Sequence, residues 1–163
     1  MLDVGGGDSR LVDFLLFERG VRCVYVLDIS CAALTRARER LADTASRVQW
    51  IEADVAGDWP TPSVNIWHDR AVFHFLTDPA DRLRYRARME QAVRPGGAVI
   101  IATFAPEGPE KCSGLPVVRY SPDALQAELG GNFRLQEAVR ETHETPFRTT
   151  QEFWYCRFAR PPE

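Results

Sequence analysis

Apolar and polar positions along the 163-residue chain switch repeatedly between a strand period and a helix period. Met1 to Val4 is a short apolar stub, the start of a first strand. From Ser9 to Glu18, Leu11, Val12, Leu15 and Leu16 fall on one helical face. Gly20 then supplies a C-terminal stop. The run CVYVLD (23–28) is apolar almost throughout, as expected of a strand buried on both faces. Ser30 is placed to cap a second helix, whose Leu34, Ala37 and Leu41 form one stripe. RVQWIEAD (47–54) and VNIWHD (64–69) give a third and a fourth strand. Asp78-Pro79 opens a long helix, with proline in the first turn where its missing N–H costs nothing. Pro95-Gly96-Gly97 stops that helix, and AVIIATF (98–104) follows as a fifth strand.

The rhythm changes after residue 104. A loop rich in proline and glycine runs from Ala105 to Tyr120. Ser121 and Pro122 begin a short helix that reaches Leu129. FRLQEAVRE (133–141) and EFWYCRF (152–158) are strands with no helix between them. A connection of about ten residues is too short for a parallel crossover, so these two pair antiparallel. Alternating strands and helices before them imply a mostly parallel sheet. The expected fold is therefore α/β and doubly wound, with five parallel strands and a C-terminal antiparallel hairpin. Residues 1–163 are long enough for one domain and short for two.

Composition narrows the partners. A hydrophobic fraction of 45% and a charged fraction of 26% are ordinary for a soluble protein. The net charge of −3 argues against nucleic acid as a partner. The arginines of DRLRYRARMEQAVR alternate with apolar positions, as on the solvated face of a helix. The longest apolar runs are strand length, so no membrane partner is expected, and no signal peptide precedes the first strand. Cys23, Cys31, Cys112 and Cys156 form no CxxC pair; the expectation is reduced, mostly buried thiols in a cytoplasmic protein. His68, His74 and His143 stand apart from the cysteines, so no metal site is expected.

The candidate chemistry starts in MLDVGGGDSRL, where Gly5, Gly6 and Gly7 join the first strand to the first helix. Such a turn exposes backbone N–H groups beside a positive helix end. Dinucleotides and S-adenosylmethionine both use it. The dinucleotide pattern G-x-G-x-x-G fails at its third glycine, where Arg10 would obstruct close helix–strand packing. Asp3 also has no obvious task beside a pyrophosphate, whereas it suits a ligand bearing an ammonium group.

DVGGGDS resembles the first motif of the class I S-adenosylmethionine-dependent methyltransferases, D/E-x-G-x-G-x-G, with Ser9 in place of the last glycine. The resemblance covers nearly the whole chain. It implies a Rossmann-like sheet of order 3-2-1-4-5-7-6 and S-adenosyl-L-methionine as cofactor. Asp28, ending the second strand in VLDIS with Ile29 after it, matches the acidic residue that binds the ribose hydroxyls. Taken alone, Asp28 could equally be a helix-capping turn residue. Asp54 in EADV matches the residue that reaches the adenine amino group, and Val55 follows it. RPGG before the fifth strand is also common in the family. The methionine carboxylate would then sit over the Gly5–Ser9 backbone, and its amino group near Asp3. Most members carry a helical segment before the first strand. Either the true start lies upstream or this is a minimal core; in the latter case the expectation is a crevice open on one side and weak binding unless a partner subunit, as in a homodimer, covers it.

The acceptor side begins at WHDRAVFHF (67–75), because the carboxyl ends of parallel strands face the ligand crevice. Asp69 is a candidate to orient or deprotonate a nucleophile, Arg70 to steady an anionic or polar substrate, and His68 to assist. Alternatively Asp69 and Arg70 form a local ion pair and His68 is merely packed. His74, in an apolar stretch, reads as a semi-buried histidine. HDRA stands where methylators of amide or base nitrogens carry an NPPY-type signature. The D-R stretch and SGLPVVRYS (113–121) resemble the thiopurine and thiol methyltransferase branch; similar stretches occur in small lysine methyltransferases. The expected reaction is methyl transfer to a small molecule. The alternatives are a protein lysine methyltransferase, or a truncated core that holds cofactor without turnover.

Overall fold

The computed structural model describes residues 1–145 and 149–162. Its main sheet has seven strands: β1 (Leu2–Val4), β2 (Val24–Asp28), β3 (Val48–Glu52), β4 (Val64–Arg70), β5 (Val93–Phe104), β8 (Arg134–Glu144) and β9 (Thr150–Ala159). The order is β3-β2-β1-β4-β5-β9-β8, with β1 to β5 parallel and the last two strands antiparallel. A two-stranded hairpin, β6 (Lys111–Cys112) and β7 (Leu115–Pro116), lies in the loop after β5. The sequence pattern gave no sign of it, since two-residue strands carry no periodicity.

Four helices cover the main sheet: α1 (Leu11–Phe17), α2 (Cys31–Leu41), α3 (Pro79–Ala92) and α4 (Pro122–Leu129). Their starts follow the capping chemistry of the sequence. Ser30, Asp78 and Ser121 accept backbone N–H groups of Ala33, Ala80 and Ala124 at 3.2, 2.8 and 3.2 Å. α1 starts two residues later than the periodicity suggests. The Ser9 hydroxyl accepts the Leu11 N–H at 3.0 Å and spends those residues on the turn. α3 ends at Ala92 and β5 begins at once, so Pro95-Gly96-Gly97 form an irregularity in β5, where the register against β4 shifts.

The helices divide the core in two. On one face Val12, Leu15, Leu16, Leu34 and Leu41 pack on Val24, Val26 and Val48. On the other, Tyr85, Met89, Leu125 and Leu129 pack on Leu2, Val4, Trp67, Val99 and Phe158. Burying each such side chain is worth about 1.5–3 kcal/mol. This double cover fixes the β1–β4 carboxyl ends as a rigid rim. The cysteine expectation needs correction: Cys23 and Cys31 are exposed, Cys112 is half-buried, and only Cys156 is fully inside. Burial pushes the Cys156 thiol up to about 11. Among the described residues no helix is long and apolar enough to cross a membrane.

Candidate active site

A cleft of about 590 Å³ opens at the carboxyl ends of β1 to β4. One end is formed by Gly5, Asp28, Ile29, Asp54 and Val55, and the other by Arg70, Val72, Phe75, Leu76, Leu115 and Pro116. Ligands of open parallel sheets sit at this rim, beyond the strand ends.

Asp28 lies where β2 gives way to α2. Its Oδ2 accepts the Gly7 N–H at 3.0 Å and its Oδ1 the Ser30 N–H at 2.8 Å. Each carboxylate oxygen has a second lone pair, so the side chain is held in place and still able to accept two more donors. Asp54 is arranged similarly, with Oδ1 on the Ala56 N–H at 2.9 Å. Val55 is buried, while Ile29 is 72% exposed on the cleft wall. An aliphatic side chain left open there is a surface for a flat apolar ligand face.

The glycine turn is tighter than the sequence implied. The Gly5 and Gly6 amides both donate to the Leu27 carbonyl, at 2.7 and 3.3 Å, and the Ser9 amide to Gly6 at 2.9 Å. With Gly7 on Asp28, these N–H groups already have tasks inside the protein. The glycines are required by neighbours: Gly5 has φ +68° and lies against Val72, Gly6 lies against the Asp3 carboxylate, and a Cβ on Gly7 would meet Asp28 Oδ2 at 2.6 Å and Ala33 at 2.7 Å.

Register aligns Val26, Asp3, His68 and Ile100 across four adjacent strands. Asp3 Oδ1 bonds His68 Nδ1 at 2.7 Å, so His68 is more than packed. Asp3 Oδ2 is buried beneath the turn and has no hydrogen-bond partner among the described residues. An unpartnered buried carboxylate oxygen is costly, and an ammonium donor would satisfy it.

Asp69 and Arg70 part company. Arg70 is exposed; its Nε donates to the Tyr155 hydroxyl at 2.7 Å and its guanidinium lies 5.4 Å from the Phe153 ring centre. The local Asp69–Arg70 ion pair is not formed. Asp69 is fully buried on the opposite face of β4. It accepts the Val72 N–H at 2.9 Å, the Phe73 N–H at 3.0 Å and the Tyr85 hydroxyl at 2.7 Å; Trp67 Nε1 donates in turn to Tyr85 at 2.8 Å. Burial raises the Asp69 carboxyl to about 6, with the Tyr85 hydrogen bond pulling the other way. The same burial holds the Tyr85 phenol well above its ordinary value. The expectation of Asp69 as a base toward the acceptor is corrected: its oxygens hold the turn after β4, where Ala71 takes φ +65°. That turn carries Val72 onto Gly5. His74 is inside as expected, between Phe75 and Phe104, and burial lowers it to about 4.

Sequence reasoning missed Tyr155, Phe153, Leu115 and Pro116. Tyr155 is 85 residues from Arg70, and only strand order brings them together.

Comparison with known proteins agrees with this geometry. Residues 1–97 match the methyltransferase-domain family, more than half of the chain, and the chain belongs to it. A trans-aconitate 2-methyltransferase of Rhodopseudomonas palustris (strain BisB5) is 29% identical over 99 residues; the match covers 61% of this chain but 36% of that protein. The N-methyltransferase NodS of Bradyrhizobium japonicum WM9, solved with S-adenosyl-L-homocysteine, superposes with a TM-score of 0.76 at 17% identity, over 98% of this chain and 76% of that one. The 1,6-didemethyltoxoflavin-N1-methyltransferase of Burkholderia thailandensis, solved with bound 1,6-didemethyltoxoflavin and S-adenosylhomocysteine, gives a TM-score of 0.72 at 20% identity, over 98% of this chain and 70% of that one. The fold is that of the class I S-adenosylmethionine-dependent methyltransferases. The residues present fit that cofactor. Asp28 and Asp54 retain acceptor capacity on the cleft wall, Ile29 offers an apolar face, and Asp3 Oδ2 lacks a donor.

Proposed function

We propose that this chain transfers a methyl group from S-adenosyl-L-methionine to a small-molecule acceptor. The observation that carries the reading is the two-ended cleft, with acidic acceptors at the β2 and β3 ends and an apolar wall with one arginine beyond β4. A volume of this size suits a cofactor with a small partner.

Asp28 would accept both ribose hydroxyls, and Asp54 the adenine amino group. Ile29 and Val55 would flank the base. Asp3 would take the methionine ammonium, directly or through a water. When bound, the cofactor supplies a sulfonium methyl, whose S–C electron pair returns to sulfur as an acceptor lone pair takes the carbon. The chain's own contribution is alignment and exclusion of water. The turn pinned by Asp69 places Val72, Phe75 and Leu76 as the dry wall of the cleft. His68, bonded through Nδ1 to Asp3, would hold that carboxylate in place for the ammonium.

A lysine acceptor fits less well. Its ammonium must lose a proton, and the lining carboxylates, Asp28 and Asp54, stand at the cofactor end. The test is titration with S-adenosylhomocysteine, followed by its enzymatic release from S-adenosylmethionine with small-molecule and peptide pools. Binding with release only from the small-molecule pool is the expected result. Release only from peptides would overturn the acceptor class. Binding without release from any pool would favour a non-catalytic core.

A further inference from the structure

We infer that the acceptor carries a carboxylate, and that Arg70 receives it with Tyr155 as the residue that positions the guanidinium. The inference rests on the methyltransferase reading and deepens its acceptor side. Arg70 is the one basic side chain on the described lining of the cleft. Both of the groups that hold it, the Tyr155 hydroxyl and the Phe153 ring, are neutral. Arg36, Arg40, Arg82, Arg88, Arg119 and Arg140 each lie against a carboxylate, whereas Arg94 and Arg160 are also held by neutral oxygens but stand off the lining of the cleft. Asp69, its neighbour in sequence, is committed to the opposite face of β4. Arg70 is therefore a full positive charge, fixed at Nε, with both terminal nitrogens free of protein acceptors among the described residues.

Apart from Thr77, the rest of this end is apolar: Val72, Phe75, Leu76, Leu115 and Pro116. A ligand with a hydrocarbon body and one planar anion matches it, because guanidinium meets carboxylate in a two-pronged fork. The far end repels the same ligand, since Asp28 and Asp54 are there. The cleft thus sorts its two occupants by charge: hydroxyl and amino donors to the acidic end, an anion to Arg70.

The experiment uses benzoate and its neutral isostere benzamide as probes, titrated against the full chain by calorimetry with S-adenosylhomocysteine present and absent. Benzoate should bind the parent chain at least roughly tenfold more tightly than benzamide, one charge-assisted pair's worth. Arg70→Gln should bring the two probes within about twofold, and Arg70→Lys, a point charge without the fork, should fall between. Tyr155→Phe keeps the charge and frees the guanidinium, so the preference should drop about threefold with no change in melting temperature. Equal binding of the two probes by the parent chain, or an undiminished preference in a folded Arg70→Gln, would overturn the inference. Failure of the methyltransferase reading is seen separately, as absent S-adenosylhomocysteine binding, because the probe comparison is also made without it.

Discussion

The two ends of the cleft are built from different kinds of contact. At the acidic end most partners are near in sequence: Asp28 reaches Ser30 and Asp54 reaches Ala56, each two residues on, while Gly7 lies 21 positions before Asp28. At the other end the Arg70 guanidinium depends on Tyr155, and the wall depends on β7. The first arrangement needs one strand–turn–helix and its neighbour. The second needs the completed sheet, because β9 docks on β5 only after the chain has returned from α4. Loops on a rigid scaffold change more readily than the elements they join, so the wall that β7 supplies is the more variable of the two ends.

Substitutions that hit one end and spare the other would sharpen the contrast. The largest effect is expected from Asp28→Ala. Losing two hydrogen bonds from the charged side chain should weaken S-adenosylhomocysteine binding roughly a hundredfold or more by calorimetry. Arg70→Gln should leave that affinity within about twofold; an equal loss in both variants would mean that the ends are not separate. Next comes Gly5→Ala, which forces an alanine to φ +68° and against Val72. Strain and overpacking should cost about 2–3 kcal/mol in urea unfolding. Val72→Ala in the same chain should recover about half of it, and strict additivity would show that Val72 is not the obstacle.

Tyr85→Phe follows, at about 2 kcal/mol, since it leaves Trp67 Nε1–H without an acceptor and Asp69 one donor short inside the core. The smallest effect is pH-dependent. His74 is lowered to about 4, so its neutral form favours the fold above its unfolded value of 6.5, and that stability is lost as pH falls from 6.5 toward 4. Asp69, raised to about 6, acts oppositely: its contribution is present at low pH and is lost as pH rises through about 6. Only the difference between His74→Phe and the parent chain isolates the histidine. The variant should gain about 1–2 kcal/mol relative to the parent between pH 7 and pH 4.5 in thermal melts. A pH-independent difference would remove His74 from the acid response.

The contrast also explains what the sequence made legible. The alternation of strands and helices and the terminal hairpin follow from period, spacing and turn residues, whereas the strand order and the interest of Asp28, Ile29, Asp54 and Val55 came through the resemblance to the class I methyltransferases. The glycine turn was legible as a turn, but its reason was not. Its amides look free until Leu27 O and Asp28 Oδ2 are seen to occupy them. Asp69 and Arg70 are adjacent letters, and only the pleat of β4 sends one into the core and the other into the cleft. Residue type gave no warning that Ala71 takes φ +65°. The Arg70–Tyr155 contact spans 85 positions and leaves no local trace.

The outermost strand has a consequence of its own. β8 closes the sheet order with eleven residues, nearly all solvent-facing on both sides. Its free row of amides and carbonyls is a template for strand addition, yet Arg134, Glu137, Arg140, Glu141 and Glu144 stud it with charge of both signs. A neighbouring molecule zipping onto that border would gain main-chain bonds but no hidden side-chain row to lock one alignment. Any such association should slide between registers and dissolve as salt is added, which makes the long border a guarded margin of the molecule.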